Sequence, residues 1–162
     1  MVGDAAHPYV ENITLKDGVG LYGGFAGGET TRDERDWNTN VTILDGGDIE
    51  EEAVVTVSSG ATITTVLNGF TIRNGTTGIY CLSSSPTITN NTIAANSSRG
   101  ISCYRSSPTI TNNTIAGNGE GISCYTSSPT ITNNTIAGNE TGIYCYDLSP
   151  SITNNIVAFN TM

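Results

Sequence analysis

Residues 121–141 read GISCYTSSPTITNNTIAGNET, and near-copies of this block start at Gly78, Gly100 and Gly142, at spacings of 22, 21 and 21 residues. Inside the block the apolar residues fall on alternate positions: Ile122 and Cys124, then Ile131 among threonines, then Ile136. They are short, mostly β-branched, and bounded by Gly, Asn, Ser and Pro, which is the pattern of strands and turns. A helix needs apolar residues at i, i+3 and i+4 through eleven or more positions, and no window offers that. Three short strands and three bends cannot bury their own apolar face, so the copies must stack. Strand on like strand gives parallel, in-register sheets about 4.8 Å apart per coil. Parallel crossovers favour a right-handed winding.

The alternation fixes which residues share a column. Ile79, Ile101, Ile122 and Ile143 line one inward row, and Cys81, Cys103, Cys124 and Cys145 the next. Ile88, Ile110, Ile131 and Ile152 belong to a second sheet; Ile93, Ile115, Ile136 and Val157 belong to a third. The bend between those two sheets holds the pairs Asn90-Asn91, Asn112-Asn113, Asn133-Asn134 and Asn154-Asn155. Asn tolerates the left-handed backbone of a sharp bend, and its amide can bond the amide one coil away. The bends after Asn96, Asn118 and Asn139 vary in length and read as solvent loops. An older copy, ATITTVLNGFTIRNG, occupies residues 61–75, and strands of diverged turns are expected at Asn12–Leu15, Val41–Leu44 and Val54–Val57.

The repeats resemble those of the right-handed parallel β-helix proteins, the pectate-lyase-like superfamily, through the GIxCYxSSPTITNNTIAGN pattern and its Asn ladder. Residues 21–47, LYGGFAGGETTRDERDWNTNVTILDGG, are similar to the leading segment of large bacterial surface β-helix proteins. The resemblance implies one all-β domain over 1–162: a right-handed, three-sheet parallel β-helix (β-solenoid) of six or seven coils. An N-terminal capping segment and first coils would take 1–47, and stacked coils 48–162, near-identical from 78. It also implies an extracellular or cell-surface location. The start, MVGDAAHPYVENI, has neither the basic nor the apolar stretch of a signal peptide. Because the superfamily houses lyases, hydrolases, adhesins and passive stalks, the fold leaves the activity open.

Charge narrows the partners. Six basic residues stand against fifteen acidic ones, for a net charge of −9. Nucleic acid and anionic membrane surfaces both need clustered Lys or Arg, so neither is expected as a partner. No apolar run is long enough for insertion into a membrane. Twelve of the fifteen acids precede Gly75, where the composition changes. There Thr31-Arg32-Asp33-Glu34 fits a capping box, with a helical turn expected to end near Trp37, and Trp37, Phe25 and Tyr22 are expected to close the first coil. At the other end the last copy replaces Thr114 and Thr135 with Ile156, and Gly117 and Gly138 with Phe159. Apolar residues on an uncapped coil point to a covering surface: either self-association, a homodimer joined through Ile156 and Phe159, or the next coil of a longer helix of which this chain is a piece.

The four cysteines follow the coil period rather than zinc-ligand spacing, so they read as small core hydrophobes. Stacked Cα atoms near 4.8 Å lie within disulfide range, but side chains that point the same way favour free thiols. No metal or cofactor is expected. On the outer face of the first sheet, Tyr80, Ser102, Ser123 and Tyr144 form one column; Leu82, Tyr104, Tyr125 and Tyr146 form another. Tyr104, Tyr125 and Tyr146 make a flat aromatic strip of the sort on which a polysaccharide docks, or simply a cross-strand stack. The pairs Thr62/Thr64, Thr87/Thr89, Thr109/Thr111, Thr130/Thr132 and Ser151/Thr153 put two hydroxyls per coil on the second sheet, like the faces of ice-binding solenoids, although Thr also suits any solvated strand. The acidic run Asp45-Gly46-Gly47-Asp48-Ile49-Glu50-Glu51-Glu52 lacks the spacing of a calcium loop and reads as solvated. No catalytic residue is assigned. The first sheet offers only Asp147 and Arg105 near its ends, the sole histidine is His7, and no paired carboxylates or Ser/His/Asp set can be assembled. The expectation is a non-enzyme: a structural or adhesive β-helix module of an exported bacterial protein, with a carbohydrate-binding module as the alternative and ice binding as a third.

Overall fold

The structure, a computed structural model, describes residues 9–10, 12–47 and 53–162. Its strands assemble into three parallel sheets that wind into a β-solenoid. The first sheet stacks Ile13–Leu15, Ala53–Val57, Thr77–Leu82, Arg99–Tyr104, Glu120–Tyr125 and Thr141–Tyr146. The second stacks Gly20–Tyr22, Val66–Asn68, Thr87–Thr89, Thr109–Thr111, Thr130–Thr132 and Ser151–Thr153. The third runs from Tyr9–Val10 through Thr42–Asp45, Phe70–Arg73, Thr92–Ala94, Thr114–Ala116 and Thr135–Ala137 to Ile156–Ala158. Each six-stranded sheet contributes one strand per coil, so six coils rise from Ile13 to Met162.

The register is like over like. Ile101 pairs Ile79 and Ile122, Cys103 pairs Cys81 and Cys124, and Ile110 pairs Ile88 and Ile131. Ile93, Ile115 and Ile136 repeat the pattern in the third sheet. All of these are fully buried. A fully buried Ile side chain contributes about 1.5–3 kcal/mol, so three per coil make the apolar columns the main cohesive term.

The corners are built from amides. Asn90, Asn112, Asn133 and Asn154 sit at φ 53–58°, the left-handed bend their short polar side chains tolerate. The next residues, Asn91, Asn113 and Asn134, turn inward and are buried. Asn113 Oδ1 accepts both the backbone N–H and the side-chain amide of Asn91, while its own amide donates to Ile88 O and to Asn134 Oδ1. The bends after Asn96, Asn118 and Asn139 leave Ser97, Gly119 and Glu140 exposed or half-buried, as expected of solvent loops, but the Asn that precede them turn inward. These three Asn are buried and form a second ladder of the same design, with Asn96 and Asn118 bonding Asn118 and Asn139 Oδ1 at 3.0 Å. A third, shorter ladder joins Ser84 N–H to Ser106 Oγ and Ser106 N–H to Ser127 Oγ.

Two local expectations need correction. Residues 62–64 lie outside the second sheet: the partners of Thr87 and Thr89 are Val66 and Asn68. The cause is Asp17, whose Oδ1 accepts Thr62 N–H, Thr62 Oγ1–H and Thr65 Oγ1–H and holds 62–65 as a turn. The turn at Thr31–Glu34 exists, as a 3₁₀ helix over Arg32–Glu34, but without a capping box. Glu34 instead accepts the Thr30 N–H and the hydroxyls of Thr30 and Thr31. Downstream, Arg35 lies over both the Tyr22 and Trp37 rings and donates to Gly23 O and Asn68 Oδ1, fastening residues 23–41 to the second coil. Phe25 is half-buried.

Candidate functional site

The outer face of the first sheet carries three columns. Pairing places Tyr80, Ser102, Ser123 and Tyr144 in the middle, and Leu82, Tyr104, Tyr125 and Tyr146 on one flank. Thr77, Arg99, Glu120 and Thr141 form the other flank. Period-2 alternation puts the two columns that carry tyrosines outside while Ile and Cys point in. Thr77, Arg99, Glu120 and Thr141 stand two residues before each inward Ile, at the start of the strand, and are half-buried there.

The tyrosines cluster toward the C-terminal end. The Tyr125 ring lies 5.6 Å from Tyr144 and 6.2 Å from Tyr146, centroid to centroid, both tilted. Tyr104 is exposed and carries the Arg105 guanidinium over its ring at 5.3 Å. The expected strip of Tyr104, Tyr125 and Tyr146 is therefore present, with Tyr146 the most open at 56% exposure. The neighbouring Tyr125, more than its desolvation, pushes the Tyr144 hydroxyl above its ordinary range. Ser102 and Ser123 depart from the expectation of exposed hydroxyls. Both are buried between the larger outer side chains, and Ser123 Oγ has no hydrogen-bond partner.

Toward the N-terminal coils the same face opens into a groove of about 570 Å³, lined by Thr14, Thr56, Thr77, Tyr80, Arg99 and Ser102 among others. Arg99 Nε bonds Glu120 Oε2 at 3.1 Å across adjacent coils. This pair was missed in the sequence, where Asp147 and Arg105 alone were counted on the sheet. Opposite charges at one repeat position, just before the glycines Gly100 and Gly121, were its available signal.

Glu120, on the flank of this face, is tied to Arg99. Asp147 sits on a left-handed bend at the last coil. Among the described residues no group of three or more His, Cys, Asp or Glu forms a metal-holding cluster. His7 and residues 48–52 of the acidic run lie outside the described residues. The remaining carboxylate of that run that is described, Asp45, is buried and already bonded to Arg73, Asn74 and Gly47.

Elsewhere, the second-sheet threonines align as expected from Thr87 onward, with Thr132 and Thr153 hydroxyls 3.1 Å apart. On the last coil Ile156 and Phe159 are 62% and 93% exposed, and Ile152 and Val157, of the second- and third-sheet apolar columns, are exposed as well.

A family model described as right handed beta helix region matches residues 36–161. No curated protein and no solved structure matches the chain.

Proposed function

The chain belongs to the right-handed β-helix family, and we propose that within it the molecule is a non-catalytic structural or adhesive module of an exported bacterial protein. The observation that carries this reading is the first-sheet face: tyrosines and hydroxyls, with the carboxylate on its flank, Glu120, paired to Arg99. General acid–base cleavage needs a free, positioned proton donor or acceptor, and glycosidases pair two carboxylates across the scissile bond. The described residues of this face present no such pair of carboxylates, which supports holding a partner rather than transforming it. The test is incubation of the purified chain with a panel of polysaccharides, followed by product analysis. Unchanged polymer supports the reading; shortened or unsaturated sugars overturn it.

A second reading, a carbohydrate-binding module, is favoured by the contact of Tyr125 with both Tyr144 and Tyr146, next to the polar groove. Tilted aromatic planes beside hydroxyls suit the apolar faces and hydroxyl rims of sugars. Glycan-array binding that is lost in Tyr125→Ala supports it, and the absence of binding to any glycan removes it. Self-association belongs to the structural reading: two copies joined end to end would cover Ile156, Phe159, Ile152 and Val157, a contiguous apolar surface of the kind that marks an interface.

A further inference from the structure

Cys81, Cys103, Cys124 and Cys145 occupy one registered column of the first sheet, and all four are free thiols. Registered side chains on parallel strands point the same way, so each sulfur faces the next along the solenoid axis. The strand spacing is about 4.8 Å. A zinc–thiolate bond is about 2.3 Å long, so two such bonds in a line span about 4.6 Å. An ion midway between two stacked sulfurs therefore meets both at bonding distance with the backbone unmoved.

We propose that Cys124 and Cys145 form a linear, two-coordinate site for a soft divalent cation of the mercuric type. Zinc is the wrong ion, because it takes four ligands, and no cluster of three or more His, Cys, Asp or Glu exists among the described residues. Soft cations select thiolates. On binding, the two S–H bonds break, two protons leave to solvent, and two metal–sulfur bonds form with one divalent ion. Net charge in the column is unchanged, so the apolar surroundings exact no charge-burial penalty; a monovalent ion would leave one negative charge behind. The ion takes the place of two thiol hydrogens and needs no cavity. Cys145 is exposed while Cys81, Cys103 and Cys124 are fully or almost fully enclosed, which makes the terminal pair the point of entry.

The test titrates the full reduced chain with mercuric acetate in chloride-free buffer. Proton release, sulfur-to-mercury charge-transfer absorbance and native mass are read together. The first equivalent is expected to release two protons, to appear as one ion on one chain, and to protect Cys145 from alkylation. Cys124→Ala and Cys145→Ala are each expected to weaken that first ion by more than the roughly 100-fold that loss of an outer partner costs. Cys145→Ala alters an exposed side chain, so it carries the test if Cys124→Ala fails to fold. Release of a single proton (a lone thiol only), an ion linking two chains, or first-ion affinity unchanged in Cys145→Ala would each overturn the proposal.

Discussion

Asn134 gives its backbone N–H to Asn155 Oδ1 at 2.8 Å and its side-chain amide to the same oxygen at 3.0 Å. Asn139 does the same to Asn160 Oδ1. Every such oxygen faces the preceding coil and every backbone N–H of the ladder the following one, while each side-chain amide also reaches back to a carbonyl of the preceding coil. Each rung satisfies donors that a bend in an apolar core would otherwise leave stranded.

Replacing an interior rung should therefore cost more than its side chain's area. Asn113→Leu removes the acceptor of the Asn91 N–H and side-chain amide, and the donor to Ile88 O and Asn134 Oδ1. Each buried group left unpaired costs about 1–3 kcal/mol. The predicted loss exceeds about 3 kcal/mol by urea unfolding; a loss under about 0.5 kcal/mol would contradict the ladder's role.

Two glycines separate space from conformation. A Cβ on Gly121 would lie 2.6 Å from Gly142 O, so Gly121→Ala must push two coils apart. Gly138 has open space around its Cβ position but φ +66°. Ala95 and Phe159 hold the same bend at φ 54° and 55°. Gly138→Ala should cost about 1–2 kcal/mol, and Gly121→Ala clearly more, about 3 kcal/mol or above. Equal thermal shifts in the two variants would contradict the stacking geometry.

Cys145 supplies a pH dependence. Desolvation, then the neighbouring Cys124, push its thiol up to about 11. Alkylation at pH 8 should be slow and should climb until about pH 11, read by mass spectrometry. The folded state holds this proton more tightly than the unfolded chain, whose thiol titrates near about 8.5. Its contribution to stability is thus whole below that value and is lost as pH rises toward about 11. Alkylation already at its plateau at pH 8.5 would refute the shift.

Self-association is predicted to depend on apolar residues rather than on the ladders. Two copies related by a two-fold axis would bring the outward N–H groups of Asn155 and Asn160 against like donors. The double change Ile156→Thr, Phe159→Gly restores the residues of the earlier copies and should convert dimer to monomer in light scattering. A parent chain that is monomeric at every concentration would remove the interface.

The columns were legible because near-identical copies put Ile and Cys at a fixed period, leaving a single register for the buried face. The second Asn ladder was hidden by loop length: Asn96 precedes its glycine by four residues, Asn118 and Asn139 by three. Counting forward from the Thr-Ile-Ala strand instead finds an Asn at one constant offset, so the signal was there. The burial of Ser102 and Ser123 was not legible, since it depends on the bulk of neighbouring side chains. Nor was the grip of Arg35 on Asn68, a contact between residues 33 apart in a segment without repeats. The turn at Thr62–Thr65 was misread because Thr-x-Thr suits a strand, and only the distant Asp17 decides otherwise.

The central claim is that each coil lies on its predecessor in parallel, like residue over like. Nuclear Overhauser contacts in a chain with labelled isoleucine methyls and backbone amides test it most directly. The account predicts an unbroken series of methyl contacts Ile88–Ile110–Ile131–Ile152, with amide–Hα contacts of parallel pairing between Thr111 and Thr132. Strong Hα–Hα contacts between consecutive strands, the mark of hairpins, together with a missing Ile110–Ile131 contact, would contradict it.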